Sequence, residues 1–174
     1  MRDIIESIEG EYRRYRSLGE RTLDQLDADQ LVARPTEASN SIATLVWHIS
    51  GNLESRFTDF LTTDGEKPWR ERDDEFAVRD ATPEEIRAKW NRGWDVLMTA
   101  LSELNDEDLR RTVTIRGIEL TVADALLRSV AHTASHVGQM TYQGKVLAGG
   151  AWEWLSIAPG ETAAYNANPT REKG

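Results

Sequence analysis

The sequence predicts an all-α fold, a four-helix bundle with one small β-hairpin placed before its last helix. Three observations predict it. Four long stretches repeat apolar residues at intervals of three and four, the signature of helices that bury one face. A short stretch at about 112–120 alternates apolar and polar residues instead, as paired strands do. The 174 residues suit a single domain, 1–174, because domains of about 100 to 200 residues hold one sizeable core.

The first helix is expected over about 2–27. Ile4, Ile5, Ile8, Tyr12, Tyr15, Leu18, Thr22 and Leu26 form its apolar stripe, and Asp27-Ala28-Asp29 followed by Pro35 breaks it. The second is expected over about 41–62, started by Ser39-Asn40-Ser41, whose short side chains accept bonds from orphan backbone amides. Ile42, Val46, Ile49, Leu53, Phe57 and Phe60 would be its buried stripe, with His48 on the flank beside Leu45 and Asn52. The third, over about 82–105, opens on Thr82-Pro83-Glu84-Glu85, with threonine as cap, proline at the first position and a glutamate reaching back. Ile86, Trp90, Trp94, Leu97, Leu101 and Leu104 follow on one face. Val113 and Ile115, then Ile118 and Leu120, flank Arg116-Gly117 as the two arms of the hairpin. The last helix, over about 121–148, sets Val122, Leu126, Val130, Val137 and Met140 toward the core.

Two segments exceed ordinary connections. The run Lys67-Pro68-Trp69-Arg70-Glu71-Arg72-Asp73-Asp74-Glu75-Phe76, inside 62–81, reads as a solvated, salt-bridged loop, or alternatively as an arginine clamp for an anion. The tail 149–174 holds Trp152, Trp154, Leu155 and Ile157. Its tryptophans are expected to plug an open bundle end rather than to bind ligand.

Composition excludes several classes of function. With no cysteine there is no disulfide frame, no zinc-thiolate site and no thiol nucleophile, so a metal would be held by nitrogen and oxygen. A formal net charge of -9, from 30 acidic and 21 basic residues, disfavours nucleic acid, which needs clustered Lys and Arg. The first residues form no signal sequence and no run of about 18 apolar residues occurs, so no membrane association and a cytoplasmic location are expected.

The chemistry-bearing feature is the histidine pattern: His48 alone, and His132-x-x-x-His136. Residues four apart on a helix project from one face roughly 6 Å apart, so two imidazoles can meet one ion. Ala125, Ser129, His132, His136, Gln139 and Gln143 make a small, polar stripe beside the core face, with room for an ion and its waters. A third nitrogen from another helix would complete a set with open coordination positions. The competing reading is a pair of partly buried, hydrogen-bonded histidines. Three neutral imidazoles suit several divalent transition ions, so the residues alone do not choose among them.

Asn40-Ser41-Ile42-Ala43-x-Leu45-x-Trp47-His48-x-x-Gly51-Asn52, Arg70-x-Arg72-Asp73-x-Glu75-Phe76, His132-x-x-x-His136-Val137-Gly138-Gln139 and Leu155-Ser156-Ile157-x-x-Gly160 together resemble the DinB/YfiT superfamily, and within it a branch of unknown function. The resemblance implies a four-helix bundle holding a metal, often zinc or nickel, on three histidines, which fall here on His48, His132 and His136. It also implies either a thiol S-transferase using a low-molecular-weight thiol, or a metal-dependent hydrolase. A non-catalytic metal-containing binding or stress-response protein is the reading from another class. For transfer, Arg70, Arg72 or Arg128 would anchor the carboxylates of the thiol. For hydrolysis a base is wanted, and only Glu54 or a carboxylate of the 71–75 loop is placed to supply it. A homodimer is a further expectation, from six tryptophans and exposed helix flanks.

Overall fold

The computed structural model describes residues 1–169. Four long helices dominate it: α1 (Asp3–Leu23), α3 (Ile42–Phe57), α4 (Pro83–Ser102) and α5 (Val122–Ala148), with short helices α2 (Ala28–Val32) and α6 (Thr162–Ala167). The hairpin strands β1 (Thr112–Ile115) and β2 (Ile118–Thr121) lie directly before α5. This is the helical fold with a hairpin that the periodicities predict. The last five residues of the expected tail, 170–174, lie outside the described residues.

Local signals fix where each helix begins. Ser41 accepts from Thr44 N at 3.1 Å and Thr121 from Asp124 N at 3.0 Å, while Thr82 and Glu85 form a reciprocal capping box. Two helices end earlier than the apolar repeat suggests. A second capping box, between Asp27 and Gln30, starts α2 as a separate helix, so α1 stops at Leu23. The helix α3 stops at Phe57, where Thr58 turns extended and Asp59 takes φ of 48°. Phe60 still reaches the core, at 8 % exposure, but from a turn, which is why the repeat overruns the helix.

α3 packs most extensively on α4, α1 on α5, and α3 also meets α5. α3 is therefore central and buried nearly all round. Besides its apolar stripe it buries Thr44, His48, Ser50, Asn52, Glu54 and Ser55, so a single-stripe reading underestimates it. Small residues permit this closeness. A Cβ on Gly93 of α4 would stand 2.6 Å from Ser50 Cα, a contact no side chain can make. Trp90 and Trp94 meet beside this contact, their rings tilted by 53° with centroids 5.3 Å apart, and Tyr12 meets Trp94 edge-on at 6.3 Å.

The hairpin pairs Ile115 with Ile118 across Arg116 and Gly117, both at positive φ, as a two-residue primed turn requires. Asp64 ties its tip to the long connection before α4. The Asp64 carboxylate accepts from the backbone amides of Arg116 and Gly117, each at 2.8 Å, and Gly65 N donates to Thr114 O at 2.7 Å. Hairpin and connection thus form one cover over the groove between α3 and α5.

The tail docks on α1. Gln25 exchanges two bonds with the Glu153 backbone, and Arg21 donates to Leu155 O. Trp152 is half-buried against Gly144. Trp154 stays 45 % exposed with Lys145 Nζ over its ring at 3.8 Å, so only one of the two tryptophans acts as the expected plug. No helix is long and apolar enough to cross a membrane among the described residues.

Candidate metal centre

The three histidines converge. His132 and His136 sit one turn apart on α5, and α3 presents His48 opposite them, so that one ligand atom from each lies within 4.8 Å of the others. Ring centroids are 4.5 to 5.1 Å apart in all three pairs. His48 is 4 % exposed, deeper than its flank position suggests, because the charged connection folds over it.

That connection carries what the sequence alone did not reveal. The ring of Phe76 lies over His48 at 4.6 Å, and Glu75 Oε2 is 2.9 Å from His48 Nδ1. Arg70 grips the same carboxylate with two bonds, Nε to Oε1 at 2.7 Å and Nη2 to Oε2 at 2.9 Å. The Arg70 side chain is only 2 % exposed. Expected in a solvated, salt-bridged loop or as a clamp for an anion, Arg70 is salt-bridged as expected but buried, its fork taken by an internal carboxylate. Arg72 lies outside, exposed over Phe76 and beside Asp73.

Gly51 makes room for this arrangement. A Cβ there would stand 2.2 Å from Glu75 Oε1 and 2.8 Å from its Cδ, so the carboxylate occupies the space where any other residue would have a side chain. A glycine inside a helical pattern, three residues after a candidate ligand, is the one sequence signal that could have pointed to a close approach here.

Burial alone would raise the Glu75 carboxyl, but the bonds from His48 and Arg70 outweigh it and hold the group below the ordinary carboxylate range. Glu75 is therefore an acceptor, and His48 Nδ1 must donate to it. The lone pair of His48 is then on Nε2, which faces His132 Nε2 at 3.1 Å. Burial, then the nearby His136 and His48, push His132 down to about 4. Burial and His48 likewise lower His136, whose Nδ1 lies 3.3 Å from Gln139 Oε1. Both rings on α5 are neutral near pH 7, the form that ligates metal.

The donor set fits a cation. His132 Nδ1 is buried with no hydrogen-bond partner, so neither tautomer of that ring satisfies both nitrogens. With the proton on Nδ1, two lone pairs face each other at 3.1 Å; with it on Nε2, that atom donates to His48 and Nδ1 stays unbonded. A shared ion would suit the first arrangement: the His48–His132 edge falls in the range of about 3.0 to 3.4 Å that metal–nitrogen bonds of roughly 2.1 Å produce, while the three ligand atoms together lie within 4.8 Å of one another. The Glu75–His48 bond supplies the carboxylate that commonly orients a metal-binding imidazole. The cluster could thus bind a metal ion.

Among curated proteins no match is found. A family model described as Protein of unknown function (DUF1572) matches residues 1–161, from before α1 to the start of α6 and including all three histidines, and the chain belongs to that family.

Proposed function

We propose that this chain is a metal-dependent enzyme of the DinB/YfiT type, in which His48, His132 and His136 hold zinc or nickel and a low-molecular-weight thiol is transferred to an electrophile. The 3.1 Å approach of two histidine Nε2 atoms, one of them oriented by Glu75, is the observation that supports the metal. An ion held there supplies a Lewis acid that lowers the pKa of the nucleophile sharing it. Glu75 and Arg70 fix the ring plane and tautomer of His48, and Phe76 shields that ring from water. In the transfer the thiol gives its proton to solvent, its sulfur bonds to carbon, and the leaving group departs with its electron pair.

The two buried carboxylates near the histidines that hydrolysis would call on as a base favour transfer by being engaged. Glu54 is paired with Lys89 at 2.6 Å and with Arg92 at 3.3 Å. Glu75 spends both oxygens on Arg70 and His48. A soft thiolate also matches zinc-like ions better than a hard oxygen does.

Elemental analysis of protein purified without a metal-affinity tag tests the reading. One equivalent of metal per chain is expected, lost in His132→Ala and His136→Ala while helical circular dichroism persists. Conjugation of thiols with a panel of electrophiles should stop on chelation and return with metal. Full metal occupancy in both variants would sink the site. Cleavage of an ester, amide or lactone without thiol turnover would replace transfer by hydrolysis.

A further inference from the structure

A cavity of about 120 Å³ opens beside His132, between α3 and α5 and under Ile115 of the hairpin. By volume it holds roughly four water molecules. Phe57, Phe60 and Ile115 supply apolar wall, while Asn52, Arg56 and Arg128 supply polar groups.

These polar groups are not equally free. Arg56 is already committed to the Gly65 carbonyl and to Glu66, the latter at 3.0 Å. Arg128 makes no ion pair or hydrogen bond among the described residues, and no carboxylate lines the cavity. Its charge is uncompensated, although the chain as a whole carries -9. Asn52 is only 8 % exposed, and its side-chain amide has no protein partner among the described residues. Its amide atoms open on the cavity, where water or a ligand satisfies them. Asn52 follows His48 by one helical turn and therefore lies on the same side of α3.

We propose that this cavity is the subsite for a small organic monocarboxylate. The Arg128 guanidinium and the Asn52 amide take the two carboxylate oxygens, and the short apolar body lies against Phe57, Phe60 and Ile115. The far end of the molecule then reaches His132. The donor count selects this class. One free guanidinium, one amide and the unpartnered Ser129 hydroxyl carry a single positive charge that matches a monoanion, whereas a phosphate dianion has more charge than they answer. The apolar wall of Phe57, Phe60 and Ile115 favours a carbon skeleton over a bare inorganic ion. Calling it a substrate subsite rests on the proposed reaction centre at the histidines, but binding itself requires neither metal nor turnover.

Titration of the chelator-treated protein with sodium butyrate, followed by amide NMR at constant ionic strength, tests the assignment. Butyrate should shift the Asn52 side-chain amide and the backbone around 125–132. Butyramide, equal in shape but uncharged, and inorganic phosphate should each bind at least tenfold more weakly. Arg128→Gln, at an exposed position that leaves the fold intact, should weaken butyrate at least tenfold, as should Asn52→Leu. Absence of butyrate binding, equal affinity for butyramide, tighter binding of phosphate, or unchanged affinity in Arg128→Gln overturns the assignment. Because the titration is done without metal, its result stands apart from the success or failure of the thiol-transfer assay.

Discussion

Gly51→Ala isolates the contribution of Glu75 to the histidine cluster, since it adds one methyl group to a helix and removes no ligand. The new Cβ would meet Glu75 Oε1 at 2.2 Å and Cδ at 2.8 Å. Restoring ordinary contact needs a displacement of about 1 Å, which stretches bonds now at 2.7 to 2.9 Å past the distance at which they count as hydrogen bonds. The helix itself gains, because alanine is favoured over glycine by about 1 kcal/mol. A folded protein with a misplaced Glu75 is therefore expected. Loss of such an orienting carboxylate weakens metal binding by about 10- to 100-fold, or roughly 1.4 to 2.7 kcal/mol. Competition against a chromophoric chelator measures this, with circular dichroism as the check on folding. Glu75→Gln should show a smaller loss, as its amide oxygen can still accept from His48 Nδ1. Wild-type metal affinity in both Gly51→Ala and Glu75→Gln would refute the orienting role.

Two further predictions concern the elements that frame the site. Asp64 accepts backbone bonds from Glu66, Gly117 and Arg116, which hold its carboxyl below the ordinary value of 3.8. A depressed folded pKa contributes stability above the unfolded value, and that contribution is lost as pH falls through the lower folded value. Hairpin amide protection should therefore drop on acidification below about pH 4, and Asp64→Asn should lower Tm at neutral pH, costing about 1 kcal/mol, while flattening that dependence. An unchanged acid profile in the variant would count against the tie. Gly93→Ala forces a Cβ against Ser50 Cα at 2.6 Å, and backbone cannot yield as a flexible side chain does. Overpacking of about 1 to 3 kcal/mol should exceed the gain in helix propensity and lower the denaturation midpoint. A midpoint at or above wild type would mean that α3 and α4 separate easily.

The parts of the fold written in local chemistry were legible, and the parts written in tertiary contact were not. Thr82 with Glu85, Arg116 with Gly117, and His132 with His136 each work within a few residues, so spacing reveals them. The position of α3 at the centre does not show in its own periodicity. Ser50, Gly51, Asn52 and Ser55 fall outside the apolar stripe, yet they are buried because α4, α5 and the charged connection surround the helix on several sides. Helix ends were misread for a related reason. Leu26 and Phe60 continue an apolar repeat after the backbone has left the helix, since burial follows the core rather than the hydrogen-bond ladder. The Arg70–Glu75 pair is the hardest case. Alternating charges most often solvate a loop, and nothing in their order says that one pair will be carried inward to a histidine.

The placement of Glu75 also shows what holds the charged connection down. Few apolar side chains anchor it, and Phe76 on His48 is joined by Arg79 over Trp47 at 4.8 Å. Residues 64–67 are held by bonds to Ser55, Arg56 and the hairpin, and the buried triad of Arg70, Glu75 and His48 fastens the part that follows. Breaking such a group by removing one partner is strongly unfavourable, because the remaining charges stay buried and unpaired. The segment around residues 70–76 consequently depends on all three partners together. Linkage then makes the effect reciprocal. Whatever factor a docked Glu75 adds to the affinity of the three histidines for an ion, a bound ion must return to the docking of the connection. The same connection anchors the hairpin through Asp64, and the hairpin places Ile115 on the carboxylate cavity. An ion bound by the histidines should accordingly slow amide hydrogen exchange in residues 70–76, and exchange unchanged by metal would refute the link.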